Sequence, residues 1–281
     1  MLAALRQAIG VLTEAGVATP RVDAELLLSH LLATSRGRLL LVDRLTAEQQ
    51  AAFTELIGRR AAGQPVQHLT GSAPFRHLEL AVGAGVFIPR PETELIVELA
   101  AAELAKASLV VDLCAGSGAI ALAIAQEYPS VEVIAVERSA AALAWLARNA
   151  TDRTTAGDHP ITVLAADITE AGLLAARAGQ VDLVLSNPPY VPERIRAELA
   201  AEIEHDPAEA VFAGPDGMAL MPHLIVTARR LLRPGGRLII EHDVSQPARV
   251  SELLSAGKDW MNVAGHADLA GRPRFTSAVL Q

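Results

Sequence analysis

The sharpest chemical feature of this sequence is the run Ser186-Asn-Pro-Pro-Tyr-Val191. Two consecutive prolines fix φ at roughly −65° and remove two backbone donors. The corner keeps acceptors: the Asn187 side-chain oxygen and the Pro188 carbonyl. Pro189 stiffens the turn, and Tyr190 offers a flat face. An –NH2 group on a planar, conjugated system needs such a corner. It can give one hydrogen to each acceptor while the ring covers its plane. Its lone pair is a weak nucleophile, so the work falls to positioning and to an activated donor. Asn187, Pro188 and Tyr190 are therefore the candidate catalytic set. Asn187, Pro188, Pro189 and Tyr190 are the candidate substrate contacts. At this point the nitrogen could belong to a side-chain amide or to a nucleobase.

A second cluster names the donor. Asp112-Leu-Cys-Ala-Gly-Ser-Gly118 follows an apolar run and precedes a helical one. Glycines let backbone approach a ligand, and a helix start aims free N–H groups at it. The spacing fails the G-x-G-x-x-G pattern for a pyrophosphate. An acid at Asp112 would repel a pyrophosphate and suit a cationic, amino-acid-like end. S-adenosylmethionine carries a sulfonium and an α-ammonium. Glu137, ending the next strand, can take ribose hydroxyls. Asp167, after the third strand, can accept an adenine amino group, although an acid there alone reads as a turn residue. The single cysteine, Cys114, reads as a small buried turn residue, because methyl transfer needs no nucleophilic thiol.

These residues must be held by strand ends. From residue 108 onward, buried runs alternate with helical ones: strands at 109–113, 131–137, 161–166 and 181–186, helices at 119–126 and 140–149. A helix over about 217–232 stops at Arg233-Pro-Gly-Gly236, before a strand at 237–242, a helix at 247–255 and strands at 260–264 and 275–280. Such alternation means a mostly parallel sheet with helices on both faces, its last strand antiparallel. Residues 1–65 read as a small helical bundle. Thr19-Pro20 starts its second helix, whose face is Leu26, Leu27, His30 and Leu31. Thr46 with Gln49 makes a capping box. Residues 66–90 read as a β-hairpin linker, with His77–Val82 pairing Val86–Ile88 across Gly83-Ala-Gly85. A helix follows over 94–105, so 91–281 forms the catalytic domain.

Composition sets bounds. The formal charge of −8 opposes a protein that lives on nucleic-acid phosphates. One cysteine excludes an internal disulfide and a zinc cage, and no metal is expected. His205, His242 and His266 lack metal spacing and read as structural. No signal-like or membrane-length apolar run occurs, so the cytoplasm is the expected compartment. A dehydrogenase is disfavoured by the glycine spacing, and a non-catalytic relative by the intact Asn187–Tyr190 run. An N6-adenine or N4-cytosine nucleic-acid methyltransferase remains the alternative, since its chemistry uses the same corner.

Taken together, the motifs identify a resemblance over nearly the whole chain. Pro65-Val-Gln-His-Leu-Thr-Gly71, Phe87-Ile-Pro-Arg-Pro-Glu-Thr-Glu94, the glycine loop, Ser186–Tyr190, His205-Asp-Pro-Ala-Glu through Gly214-Pro-Asp-Gly217 and Glu241-His242 resemble the bacterial release-factor glutamine methyltransferases, the PrmC/HemK family. The resemblance implies a class I, Rossmann-like methyltransferase with a seven-stranded sheet. It implies N5-methylation of the glutamine in the Gly-Gly-Gln tip of release factors, with S-adenosylmethionine as methyl donor. It places Asp112, Cys114, Ala115, Gly116, Ser117 and Gly118 at the cofactor, Glu137 at the ribose, Asp167 and Ile168 at the adenine, and Asn187 between cofactor and substrate. Phe87 and Arg90 become pocket-wall residues. The helical N-terminal domain becomes a docking surface. A monomer acting on a release factor, with no direct nucleic-acid or membrane contact, is the expected state. Two positions depart from the family pattern. Cys114 stands where glycine is usual, a place that accommodates a small side chain if φ is negative. Ile168 stands where an aromatic is common, so adenine would pack on an aliphatic.

Overall fold

The computed structural model describes residues 1–198 and 201–281 and divides into two compact units, Met1–Ser72 with Ala200–His205, and Ala73–Leu199 with Asp206–Gln281. The first is helical: α1 (Leu2–Glu14), α2 (Pro20–Leu31), α3 (Ala47–Ala61) and α4 (Val66–Thr70). Leu5, Leu12, Leu27, Leu28, Phe53 and Ile57 form its core. The capping box opens α3: Gln49 N–H donates to Thr46 Oγ1 at 3.1 Å, and Thr46 N–H to Gln49 Oε1 at 2.9 Å. Two local expectations shift. The Thr19 hydroxyl donates to Asp23 Oδ1 at 2.8 Å rather than accepting a backbone N–H. The buried face of α2 is Ala24, Leu27 and Leu28, and His30 is exposed. Asp23 is buried because Arg60 Nε donates to its Oδ2 at 2.7 Å. Arg60 also donates to Glu202, from the far segment of this unit. A buried guanidinium is tolerable only with such partners.

The second unit opens with a hairpin, β1 (Ser72–Phe75) and β2 (Leu78–Ala81). It is displaced from the expected one. The alternation at 78–81 is real, but its partner lies upstream, across a turn in which Arg76 takes φ +51°. Val86–Ile88 is an unpaired buried segment, not a strand. Short helices α5 (Leu95–Leu99) and α6 (Ala101–Leu104) lead to β3 (Leu109–Leu113), α7 (Ala119–Glu127), β4 (Glu132–Glu137), α8 (Ala140–Thr155), β5 (Thr162–Ala165) and β6 (Val181–Ser186). Then come α9 (Ala208–Val211), α10 (Met221–Leu231), β7 (Leu232–Glu241), α11 (Pro247–Ser255), β8 (Trp260–Ala267) and β9 (Pro273–Leu280).

The sheet order is β5-β4-β3-β6-β7-β9-β8. The pairs from β5 to β7 are parallel, and β9 runs antiparallel to β7 and β8. Every residue of β3 is buried, as a central parallel strand covered on both faces requires. Its side chains alternate between two cores: Val110 joins Ile96, Ile120 and Ile124, whereas Val111 and Leu113 join Leu224, Leu231 and Val250. α10 does stop at Leu231, just before the Arg233-Pro-Gly-Gly236 run, but that run is not a loop outside the strand. It lies inside β7, where the register to β6 shifts between Val181 and Leu183.

The chain winds outward from β3 to β5 on one side and from β6 to β8 on the other. The order therefore reverses between β3 and β6, and open α/β sheets bind ligands outside the strand C-termini at that reversal. The register is decisive: Leu113 stands level with Val136 and with Ser186, and Ser186 with Ile240. The segments starting at Cys114, Glu137, Asn187 and Glu241 consequently emerge side by side.

Candidate active site

The glycine loop is built from three left-handed residues: Cys114 at φ +65°, Gly116 at +57° and Gly118 at +89°. Ala115 N–H anchors it on Val136 O at 3.0 Å. The two glycines serve different ends. A Cβ on Gly118 would fall 2.4 Å from Leu146 Cδ1, so this glycine seats the start of α7 against α8. A Cβ on Gly116 would meet nothing within 4 Å; the space beside it is open for a ligand. Asn149 braces the loop, donating to Ser117 O at 2.9 Å and to Ala81 O at 3.0 Å.

Cys114 does not have the negative φ that would accommodate its side chain without strain. A non-glycine residue in this region costs about 1–2 kcal/mol. Burial, with Glu137 and Asp112 nearby, pushes its thiol well above the usual range, so it is no nucleophile at neutral pH. Cys114→Gly relieves the strain, partly offset by the greater freedom of an unfolded glycine. The melting temperature should rise by about 2 °C, a change readable by differential scanning calorimetry.

Asp112 lies beneath the loop rather than on its open side. It is fully buried, Oδ2 accepts Ala121 N–H at 3.2 Å, and Oδ1 has no hydrogen-bond partner among the described residues. Burial pushes its pKa up to about 8, against the Ala121 bond and with the help of Glu137. Glu137 is clamped by backbone: Oε2 accepts Gly116 N–H at 2.9 Å, while Oε1 accepts Arg138 N–H at 2.8 Å and Ser139 N–H at 2.7 Å. A carboxylate has about four lone-pair sites, so Oε2 retains one beside the open face of Gly116. Asp167 Oδ1 is occupied by the Thr169 N–H and hydroxyl, both at 2.8 Å, and Oδ2 by Arg138 at 3.3 Å. These bonds, led by the Thr169 N–H, hold its carboxyl below the usual range. Ile168 is 5% exposed and packed into the core, which leaves an adenine little aliphatic surface there.

At the corner, Pro188 is buried, and Asn187, Pro189 and Tyr190 are half-buried. Asn187 Nδ2 donates to Thr93 Oγ1 at 3.0 Å. Among the described residues nothing donates to Asn187 Oδ1 or to the Pro188 carbonyl. The two expected acceptors are thus open, and the amide is pinned by its other end. Ser186 Oγ ties the corner to the glycine strand through Leu113 O at 2.5 Å. The Tyr190 hydroxyl points inward and donates to Glu241 Oε1 at 2.9 Å. Burial and the Glu241 charge push that phenol upward. Phe87 and Arg90 are held together: the guanidinium lies 5.0 Å over the ring and pairs with buried Asp206, which also accepts Ile88 N–H at 3.1 Å. Arg90 O receives Thr93 N–H at 3.1 Å, so this segment leads directly to the Asn187 partner.

Several residues have contacts that the motifs containing or flanking them do not disclose. Thr93 sits inside the Pro-Arg-Pro-Glu-Thr-Glu94 run, which by itself gives it no role. Glu241 is 1% exposed, and burial pushes its carboxyl up to about 7, against Thr93, Tyr190 and Arg274. Gln246 Nε2 donates to Tyr190 O at 2.8 Å and to Asp216 O at 3.1 Å. Gly217 lies beneath that latch at φ +74°. His242 and His266 are structural: His242 contacts Thr276 Oγ1 and Asp243 O, and His266 contacts Ser277 Oγ. Among the described residues no His/Cys/Asp/Glu cluster could hold a metal ion, and no helix is long and apolar enough to cross a membrane.

Residues 3–71 match the family described as PrmC N-terminal domain, and residues 80–257 match the Methyltransferase small domain. The release factor glutamine methyltransferase of Mycolicibacterium smegmatis is 49% identical, covering 98% of this chain and 96% of the relative. Those of Streptomyces coelicolor and Mycobacterium tuberculosis are 44% and 43% identical, covering 99% and 98% of this chain and 97% and 91% of theirs. Among solved structures, the hMettl16 catalytic domain, in complex with a 3′UTR hairpin, superposes with a TM-score of 0.58 at 13% identity over 81% of this chain and 82% of that one. That likeness speaks for the fold alone, a class I Rossmann-like methyltransferase. With relatives this similar along nearly its whole length, the chain belongs to the release factor glutamine methyltransferase family.

Proposed function

We propose that this chain transfers a methyl group from S-adenosylmethionine to the side-chain amide nitrogen of the glutamine in the Gly-Gly-Gln motif of peptide chain release factors. The observation that carries the reading is the corner: Asn187 is pinned through Nδ2, leaving Oδ1 and the Pro188 carbonyl open beside the glycine loop. A primary amide has two N–H groups in one plane, and two fixed acceptors can take one each. That holds the nitrogen in place and raises its electron density as the bond to carbon forms.

The cofactor, when bound, supplies an electrophilic methyl on a sulfonium. The residues present fit it. Gly116 leaves a face that a Cβ would otherwise fill. Glu137 retains a lone pair for ribose, and Asp167 Oδ2 is only partly satisfied by Arg138. Loop residues Cys114 to Gly118 would hold the amino-acid end, and Asp167 with Ile168 would border the adenine. Asp112 would act from beneath the loop, where a cation above favours its ionised form. Phe87 and Arg90 would wall the glutamine side. No proton acceptor is needed before transfer, because the methylated nitrogen becomes acidic and releases its proton afterwards. The net charge of −8 supports a protein substrate over nucleic acid.

The test is label transfer. The protein is incubated with methyl-labelled S-adenosylmethionine and either a release factor, the same factor with its Gly-Gly-Gln glutamine replaced, or DNA and RNA. Label should enter the intact factor only. Label on nucleic acid alone would overturn the glutamine reading in favour of an amino-base methyltransferase.

A further inference from the structure

Tyr190 can hold an amide flat only if the plane of its own ring is fixed. The torsion that sets that plane, χ2, is broad and roughly two-fold in tyrosine. Tyr190 is half-buried, so packing covers only part of the ring. The backbone beneath it is held, since Gln246 Nε2 donates to Tyr190 O at 2.8 Å, but that bond does not reach the ring. What remains to fix the plane is the hydroxyl. Conjugation keeps the phenolic O–H and its favoured lone pair near the plane of the ring. One partner fixes where the ring ends. Two partners, one giving and one receiving, also fix how it is turned.

Both partners are present. Arg274 Nη1 donates to the Tyr190 oxygen at 3.4 Å, and the Tyr190 hydroxyl donates to Glu241 Oε1 at 2.9 Å. The direction of this chain is forced at its first link. A guanidinium has no acceptor, so the phenol must receive from it and pass its own proton onward. Glu241 can accept on Oε1 in either protonation state, because Oε2 has no hydrogen-bond partner among the described residues and can carry the proton when there is one. The sheet supplies both ends. Glu241 closes β7 opposite Phe275 of β9, and the carbonyl of the preceding residue, Arg274, accepts His242 N–H at 2.9 Å. Arg274 is held from behind: its Nη2 lies 3.8 Å from Asp268 Oδ2, and these two side chains are 14% and 1% exposed. Asp268 is itself fixed, because its Oδ1 accepts Ala270 N–H and Arg272 N–H, both at 2.9 Å.

We propose that Arg274 is a positioning residue: as donor, with Glu241 as acceptor, it grips the Tyr190 hydroxyl and fixes the plane of the ring against which the substrate amide lies. The inference rests on the reading that Tyr190 covers the glutamine amide at the corner. Arg274 touches neither substrate nor cofactor in this account; it acts through one hydroxyl.

Tyr190→Phe keeps the ring and frees its plane. Arg274→Met keeps a long side chain and removes the donor. Each should lower kcat by about 10-fold, a moderate cost for loosening a group that orients the substrate, with KM for the cofactor changed little. Because Arg274 acts through the hydroxyl, the double variant should be no slower than the slower of the two single variants. A single guanidinium nitrogen meets the phenol, so Arg274→Lys, which keeps a cation and a donor, should recover most of the lost rate. The ring can also be watched directly. The chain has two tyrosines, Tyr128 and Tyr190, so ring-labelled tyrosine gives two sets of NMR signals, and Tyr128→Phe assigns them. A gripped ring turns over rarely and shows separate signals for its two edges. An ungripped ring turns fast and shows them merged.

The experiment combines the tyrosine ring spectrum with single-turnover methylation of a release factor. It uses full-length wild type, Tyr190→Phe, Arg274→Met, their double and Arg274→Lys, with melting temperature and cofactor affinity for each. Separate Tyr190 edges in wild type and in Arg274→Lys, merged edges in Arg274→Met, and a double variant no slower than its slower parent support the grip. Merged edges in wild type overturn it, whatever the variants do. So do edges that stay separate in a folded Arg274→Met, a Tyr190→Phe enzyme as active as wild type, or losses that multiply in the double variant. Should Arg274→Met not fold, Arg274→Lys decides in its place, and a lysine enzyme as slow as Tyr190→Phe overturns the grip. The two readings fail separately. A wild type that never labels glutamine sinks the functional reading and leaves the ring measurement standing. A wild type that labels glutamine while its Tyr190 ring turns freely sinks only the grip.

Discussion

Asn187→Ala should lower methyl transfer by at least about 10²–10³-fold, the range for removing one preorganised polar group at a reacting centre. Cofactor affinity should change by no more than a few-fold. The reasons lie in the corner. Asn187 Oδ1 is one of two open acceptors there, and the other, the Pro188 carbonyl, belongs to the backbone and survives the change. Alanine keeps the φ range, so the Pro-Pro corner and the Ser186 tie to Leu113 O remain. The orphan left behind is the Thr93 oxygen, which can turn or take water. Single-turnover transfer and equilibrium binding of the cofactor separate the two effects. If binding collapses together with transfer, Asn187 serves the cofactor rather than the amide, and the substrate role assigned to it is wrong.

The second large effect is on stability. Gly217→Ala should cost about 3 kcal/mol or more, lowering the melting temperature by roughly 6–12 °C. Gly217 has φ +74°, and a Cβ there would lie 2.0 Å from Tyr190 O and 2.5 Å from Gln246 Nε2. Neither atom can retreat cheaply. The first is backbone of the corner, and the second is the latch that holds it. Gly214→Ala separates strain from collision. Its φ is +76°, but the nearest atom to an added Cβ is the Ala219 Cβ at 3.5 Å. It should lose only the backbone cost, about 1 kcal/mol. Equal losses at the two positions would mean that the corner yields readily and that the Gln246 latch is of no consequence. If Gly217→Ala remains folded, its transfer rate should fall further than its stability explains, because Tyr190 and Pro188 move with the displaced carbonyl.

Much of the site is readable in the sequence because its determinants are local. The Pro-Pro pair sets its own backbone, the buried run of β6 places that strand to the residue, and the capping box of α3 is a four-residue contract. The hairpin misleads because the alternation at 78–81 names a strand and not its partner. Pro74 disguises β1, and a left-handed Arg76, rather than a glycine, makes the turn. Gly235-Gly236 signals a break, yet it lies within β7 as an irregular stretch against β6. Cys114 adopts a conformation that its identity argues against, because neighbouring strands fix the loop. Thr93, Glu241 and Gln246 are beyond reach for a different reason. Each acts across a long stretch of chain, on Asn187 or Tyr190, and a hydrogen bond between distant positions has no periodicity to betray it.

The helical unit carries a lesson about inheritance. Its buried Arg60 is matched by Asp23 from the same helical run and by Glu202, which enters from the far side of the chain. A unit assembled from two separated stretches cannot be exchanged by a single recombination crossover. A crossover near Ser72 would carry the helices with Asp23 and leave Glu202 behind, so that the buried guanidinium would lose one of its two carboxylate partners. Gene shuffling would thus tend to pass the two stretches on together, and the N-terminal helices would travel through evolution as part of the enzyme rather than as a detachable module.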